Sequence, residues 1–237
     1  MRHDFVDRFA RVPSPVAGID PRTRLVAALT VLLTVVGAPA SRPGMLAVCA
    51  GFIAGYAALA RVPAGWLVAR SAVALPFALL AGAWLPFARP GVGGWAALAV
   101  LAARTFLAAA VIVLLAATTR FPHLLRGMEG LGLPRVMSLV LSFTYRFLFV
   151  LVEEAERLEM AVRSRAPMRR RRFRALTGAA GYLFLRTYER AERVYQAMLA
   201  RGFHGEIPVG EIPRWGVQDA LAVAVTAGFL WVAWRIW

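Results

Sequence analysis

No aspartate or glutamate occurs between Asp20 and Glu129, and the arginines in that stretch are scattered among long apolar blocks. A water-facing surface needs charges of both signs, so a segment this long without a carboxylate belongs mostly in lipid. Composition agrees. Of 237 residues, 59% are hydrophobic and only 17% charged, too apolar a balance for an ordinary soluble domain. The expected fold class is all-α: a polytopic membrane protein with about five transmembrane helices and a cytoplasmic helical coupling region.

The apolar blocks run from Leu25 to Ala40, Gly44 to Ala60, Trp66 to Phe87, Trp95 to Ala117 and Val217 to Trp237. A crossing helix needs roughly 20 residues, so the first two blocks are short and must tilt or borrow flanking residues. Pro39 and Pro43 bracket one tight turn, and the Gly-rich segment from Ala88 to Gly94 makes another. Pro76 predicts a kink within the third block, because its ring removes a backbone donor and crowds the preceding turn. The expected segmentation is an amino-terminal stretch plus four spans over 1–118, cytoplasmic or interfacial helices over 119–216, and a final span over 217–237. A cleavable signal peptide is not expected, since the first apolar block follows acidic as well as basic residues.

All 28 basic residues are arginine. They cluster before the first block and between Arg120 and Arg214, with Arg61 and Arg70 on the same side; Arg42, Arg89 and Arg235 fall on the other. The positive-inside rule then predicts a multi-pass protein of the cell inner (cytoplasmic) membrane, amino terminus cytoplasmic and carboxyl terminus outside. Arg104 is the one charge well inside a block. Snorkelling, or a bond to a neighbouring carbonyl, is the expected explanation. Cys49 is read as a small buried hydrophobe, and a lone cysteine forms neither an intrachain disulfide nor a thiolate cluster.

Residues 119–216 differ in character. Beyond the glycine-rich hinge at Gly130 to Pro134, Val136, Leu139, Val140, Phe143, Phe147, Val150 and Leu151 follow helical spacing and run into an acidic and basic stretch. Glu153 with Arg157, and Glu159 with Arg163, stand four apart with the acid first, the stabilising order. Pro167 closes that helix. A second helix is predicted from Leu176, Leu183, Phe184, Tyr188, Tyr195 and Met198, supported by Glu189 with Arg193 and stopped at Gly202.

Each helix ends on the same small pattern. Ala161 precedes Arg165 by four residues, as Ala197 precedes Arg201, so each pair shares a helix face and offers close approach beside a guanidinium. Cations in a last turn also interact favourably with the helix dipole, by roughly 0.3 to 1 kcal/mol, without any partner. The repetition favours docking onto an acidic partner. Ser164, Ala166, Ala200 and Gly202 are the small residues flanking the two arginines. Between the helices lies a basic run, Arg169, Arg170, Arg171, Arg172 and Arg174. Beside a membrane its expected partner is anionic lipid, at about 1 kcal/mol per residue, and no nucleic-acid role is expected.

The opening from His3 to Ala10, Ser14 to Val16, Ile19 to Arg22, Leu133 with Pro134, Tyr145 with Arg146 and the paired arginine motifs together resemble the transmembrane T component of energy-coupling factor (ECF) transporters. More narrowly, the chain is similar to the cobalt- and nickel-type branch, the CbiQ family. The likeness covers essentially the whole chain, and its most specific part runs from Ala197 to Phe203. The first motif departs from it, with Ser164 and Ala166 around the arginine in place of an Ala-Arg-Gly ending.

The resemblance implies a scaffold that couples two cytoplasmic ABC-type ATPase subunits to a separate membrane substrate-binding subunit. Arg165 and Arg201 would contact the ATPases, with Ala161, Ser164, Ala166, Ala197, Ala200 and Gly202 packing closely around them. No cofactor is expected on this chain: ATP and magnesium belong to the ATPases, and cobalt or nickel to the binding subunit. Biotin or another vitamin enters only through a different binding subunit. Having no lysine, the chain cannot form a Gly-x-x-x-x-Gly-Lys-Ser/Thr phosphate loop and is not expected to hydrolyse ATP. His3, His123 and His204 are scattered, so no metal site is expected, and His204 is given no metal role. Other classes weighed are a self-sufficient secondary transporter or channel, for which Arg104 is the only midplane charge, and a membrane anchor without coupling. An integral membrane enzyme would have Asp4, Asp7 and Asp20 as its inner-side candidates.

Overall fold

The computed structural model describes residues 18–39, 43–88, 92–165, 169–204 and 216–236. The described residues are helical, with no strand among them. Helices α1 (Pro21–Gly37), α2 (Pro43–Leu59), α3 (Ala64–Ser71), α4 (Leu75–Gly82), α5 (Leu85–Ala88), α6 (Val92–Thr118), α7 (Phe121–Gly130) and α10 (Val217–Ile236) belong to one compact unit. The second unit holds α8 (Arg135–Arg165) and α9 (Arg169–Ala200).

Four stretches are long and apolar enough to cross a membrane: Ala64–Ala88, Gly93–Thr118, Arg135–Ser164 and Val217–Arg235. Three coincide with expected blocks. The first two blocks form helices of only 17 residues each, and the second, over Gly44–Leu59, is a shorter apolar helix. The fourth stretch lies in α8, within the residues expected at the cytoplasmic side or interface. Pro76 acts as expected: a 3₁₀ turn over Ala72–Ala74 separates α3 from α4, which takes Pro76 into its first turn, where no backbone donor is needed.

The bundle is apolar inside and out. Val31, Val35, Cys49, Ile53, Leu107, Val111, Leu114 and Phe229 form its core. Leu33, Phe77, Leu80 and Phe87 point outward, the last 85% exposed. Where the surroundings are as apolar as the core, close packing has to hold helices together. Phe52 on α2 meets Phe229 on α10 with ring centroids 4.5 Å apart, and Gly82 admits Leu98 and Leu101 of α6 into space that a Cβ would fill. The hydroxyls of Thr30, Thr34, Thr105, Thr118 and Thr226 each donate to the carbonyl four residues back, so these five donors are satisfied within their own helices.

Polar anchors close the helix ends. Asp20 caps α1, its Oδ1 accepting from the Arg22 amide at 2.8 Å, with Pro21 opening the helix. Asp219 ties the two termini of the bundle: Oδ1 accepts from the Asp20 amide at 2.6 Å and Oδ2 from the Gly216 amide at 2.9 Å. The latter is half of a capping box at the start of α10. Arg24 donates to the Thr118 carbonyl at the end of α6 at 3.0 Å. Arg104 donates to the Ala38 carbonyl, where α1 ends. The intramembrane arginine therefore satisfies an orphan helix carbonyl, as expected from its place in the block.

Candidate functional site: an arginine-tipped helical hairpin

α8 and α9 pack along each other. Glu154 pairs with Arg186, and the Arg190 guanidinium lies 5.9 Å from the Phe147 ring centroid, so rising numbers on one helix meet falling numbers on the other. The hairpin is antiparallel. Its intrahelical pairs are those the spacing predicts: Glu153 with Arg157 at 3.8 Å, Glu159 with Arg163 at 2.5 Å and Glu189 with Arg193 at 3.7 Å. All are exposed and worth tenths of a kcal/mol each, so they tune helix stability without defining the packing. The cross-helix contacts define it, and spacing within one helix gives no sign of them.

Both motifs fall at helix carboxyl ends. Ala161 and Ser164 are exposed on the last turn of α8, and the Ser164 hydroxyl donates to the Ala161 carbonyl at 2.9 Å. The backbone of Arg165 closes α8, while its side chain and all of Ala166 lie outside the described residues. The same holds for the side chains of Arg169, Arg170, Arg171, Arg172 and Arg174, whose backbone forms the first turns of α9.

The second motif is described in full. Ala197, Ala200, Arg201 and Gly202 are all exposed. The Phe203 amide donates to the Met198 carbonyl at 3.1 Å and the Gly202 amide to Leu199 at 2.9 Å, while Gly202 takes φ +78°. This is a Schellman stop, and Arg201 occupies the half-helical position just before the left-handed glycine. The small residues hold the helix end narrow, so the guanidinium stands clear of it.

The hairpin does not bring the two arginines together. Each helix ends at the opposite tip, so the motifs are separated by on the order of 40 Å of helix rise. Two separate contacts, one per tip, suit this arrangement. Along the length between them runs an open groove of about 460 Å³, lined by Glu154, Arg186, Arg190, Arg193 and Ala197 among others. It carries more positive than negative charge. Tyr182, Phe184, Leu185 and Tyr188 of α9 are also exposed, at 53% to 71%. A charged helix that leaves aromatic side chains uncovered has the composition of a docking surface.

Among the described residues no three of His, Cys, Asp or Glu lie close enough together to hold a metal ion. His204 is exposed just beyond the second motif. His123, exposed on α7, has its pKa lowered below 6.5, first by partial burial of the charged form and then by Arg126, Arg120 and Arg24. Asp20 caps α1 through Oδ1; Asp4 and Asp7 lie outside the described residues.

The chain is 31% identical over 160 residues to the cobalt transport protein CbiQ of Rhodobacter capsulatus, covering 65% of this chain and 62% of that one. It is 32% identical over 126 residues to the nickel permease LarQ of Lactiplantibacillus plantarum, covering 50% and 44% respectively. In each case the match spans less than two thirds of the relative's length. The family model for the cobalt transport protein CbiQ matches residues 13–209, a range that takes in α1 to α9 and both arginine motifs, and on that match the chain belongs to the CbiQ cobalt transport family.

Proposed function

We propose that this chain is the transmembrane coupling subunit of an ATP-driven ECF-type importer for cobalt or nickel ions. The observation that carries the reading is the antiparallel hairpin with an exposed alanine and a terminal arginine at each tip. Two cytoplasmic ABC-type ATPase subunits would each take one tip, Arg165 with Ala161, Ser164 and Ala166 at one, Arg201 with Ala197, Ala200 and Gly202 at the other. A paired, rigid hairpin transmits a displacement of its tips as a unit. The substrate-binding membrane subunit would sit against the bundle and be reshaped by that displacement. Cobalt and nickel are the metals named for the two relatives, and the metal, ATP and magnesium would all be held by partner subunits.

The segmentation follows. Residues 1–118 and 217–237 form the membrane part, and 119–216 lie at the cytoplasmic interface, with the amino terminus inside, the carboxyl terminus outside, and Arg169 to Arg172 and Arg174 against anionic lipid. The pairing within the hairpin supports this placement of α8. Its apolar half lies beside the part of α9 that carries Glu189, Arg190, Glu192 and Arg193, and four charged side chains at bilayer depth would cost several kcal/mol.

Copurification tests the reading. The tagged chain is recovered from native membranes at matched levels, wild type against the Arg165→Glu, Arg201→Glu double variant. ATPase subunits that accompany wild type and are lost from the variant uphold the docking roles. Retention by the variant, or no ATPase with either, overturns them.

A further inference from the structure

A second cavity, unconnected with the arginine motifs, lies inside the bundle. It has a volume of about 410 Å³ and is enclosed by α1, α2, α6 and α10. Val31, Phe52, Ile53 and Leu114 make its depth apolar, whereas Thr23, Arg24, Tyr56 and Gln218 gather at one end. That end lies at the inner ends of the helices, where the arginine asymmetry places the cytoplasmic headgroups. From Thr23 to Val31 the cavity follows α1 for about 12 Å of rise, part of one leaflet's depth. Leu59, Leu221 and Val225 at its rim are 59%, 61% and 59% exposed, so it opens sideways to whatever surrounds the bundle.

The Thr23 hydroxyl is one of its unanswered polar atoms. Thr23 is 6% exposed and its hydroxyl has no hydrogen-bond partner. The other threonines quoted above donate to the carbonyl four residues back. Thr23 stands in the first turn of α1, where the residue four back precedes the helix. A buried hydroxyl without a partner is destabilising, and a ligand that accepts its proton would account for it. Charge narrows the ligand's class. Asp20 and Asp219 both lie within electrostatic reach of Arg24, so its guanidinium already has carboxylates near it and the ligand need not be an anion.

We propose that this cavity holds one acyl chain of a membrane glycerolipid, inserted from the bilayer, with its ester carbonyl accepting the Thr23 hydroxyl proton and its tail lying against Val31, Phe52 and Leu114. A mostly apolar pocket of a few hundred Å³ between bundle helices, with a few polar groups fixing orientation, is the usual form of such a site. Since Arg24 already has carboxylates near it, the headgroup's charge does not set affinity.

The test uses the full chain in liposomes containing a phosphatidylcholine with a photoreactive group at one acyl tip. After illumination the label is mapped, and concentration on the segments around Val31, Phe52 and Leu114 is expected. Thr23→Val should lower that labelling about threefold to tenfold, the weight of one hydrogen bond. Its melting temperature in lipid-free detergent should hold or rise, because the variant removes an unpaired buried hydroxyl. Ala28→Phe, which fills the cavity from α1, should abolish the deep label. If Ala28→Phe does not fold, Thr23→Val decides alone. Label spread evenly over the outer faces and unmoved by Thr23→Val overturns the proposal. So does displacement by a free fatty acid far better than by uncharged ester lipid, or a crosslink from the cavity wall to the chain's own residues 1–17 in its place.

Discussion

Two helices in this chain end the same way on different residues. Where α2 stops, the Val62 amide donates to Ala57 at 3.0 Å and the Arg61 amide to Ala58 at 3.1 Å, the Schellman pattern also seen at Gly202. The left-handed position is filled here by Arg61, at φ 56°. A side chain in that region costs roughly 1 to 2 kcal/mol that glycine does not. Arg61→Gly should therefore raise the thermal stability of the purified chain by about 1 kcal/mol, and Gly202→Ala should lower it by a similar amount. Melting curves of both in one detergent check the pair. The arginine's retention at that cost fits a topological role for its charge, so Arg61→Gly should also weaken the inward orientation proposed for that loop. Of these two stops, the sequence marks only the one with glycine. Nothing within one helix foretells a left-handed arginine, just as nothing near Arg104 or Asp219 in sequence names the Ala38 carbonyl or the Asp20 amide each one reaches. His123 supplies a pH effect. Its folded pKa lies below the ordinary 6.5, so the neutral ring contributes fully above that value, and stability declines as pH falls through the lowered one. Because the ring is exposed the loss should be small, and it should vanish in His123→Gln when melts at about pH 7.5 and 5.5 are compared.

At the scale of elements, helical periodicity disclosed α8 and α9 because each is long and laced with pairs four apart. It passed over α7, whose ten residues between an apolar span and a glycine-rich turn hold too few turns to show a period. Packing explains why α7 is nevertheless fixed. A Cβ on Gly127 would come within 2.8 Å of Leu25 and 3.0 Å of the Pro21 carbonyl carbon, and one on Gly130 within contact of the Arg22 guanidinium. Neither glycine has a positive φ, so close approach to α1 is what each serves. Gly127→Ala meets backbone that cannot yield and should cost about 1 to 3 kcal/mol. Gly130→Ala meets the movable end of an arginine and should cost less. Melting temperatures that reverse this order would show that α7 does not rest on α1 as described.

For the whole molecule the decisive question is which side of the membrane the hairpin occupies. Length and apolarity alone would let Arg135–Ser164 cross. The fold gives the apolar half of α8 a charged neighbour instead, and a crossing α8 would have to carry that neighbour into the bilayer or part from it. The interfacial placement leaves five crossings and puts the two termini on opposite sides; an additional crossing by α8 alone would reverse one of them, and a crossing by the paired α8 and α9 would reverse neither. Thiol labelling separates the two, starting from Cys49→Ala, since Cys49 is the chain's only cysteine and is fully buried. Ser142 lies exposed in the apolar half of α8, and Leu33 is 63% exposed on the outside of the bundle. In inside-out vesicles stripped of peripheral proteins, Ser142→Cys should react with a membrane-impermeant maleimide within the time taken by Ser14→Cys, and Leu33→Cys should not. Arg235→Cys should react only in right-side-out vesicles. A Ser142→Cys as inert as Leu33→Cys would place α8 in the bilayer. It would also put the two tips of the hairpin on opposite faces of the membrane, so that cytoplasmic partners could reach only one of the two motifs, because the motifs are the opposite ends of one paired structure.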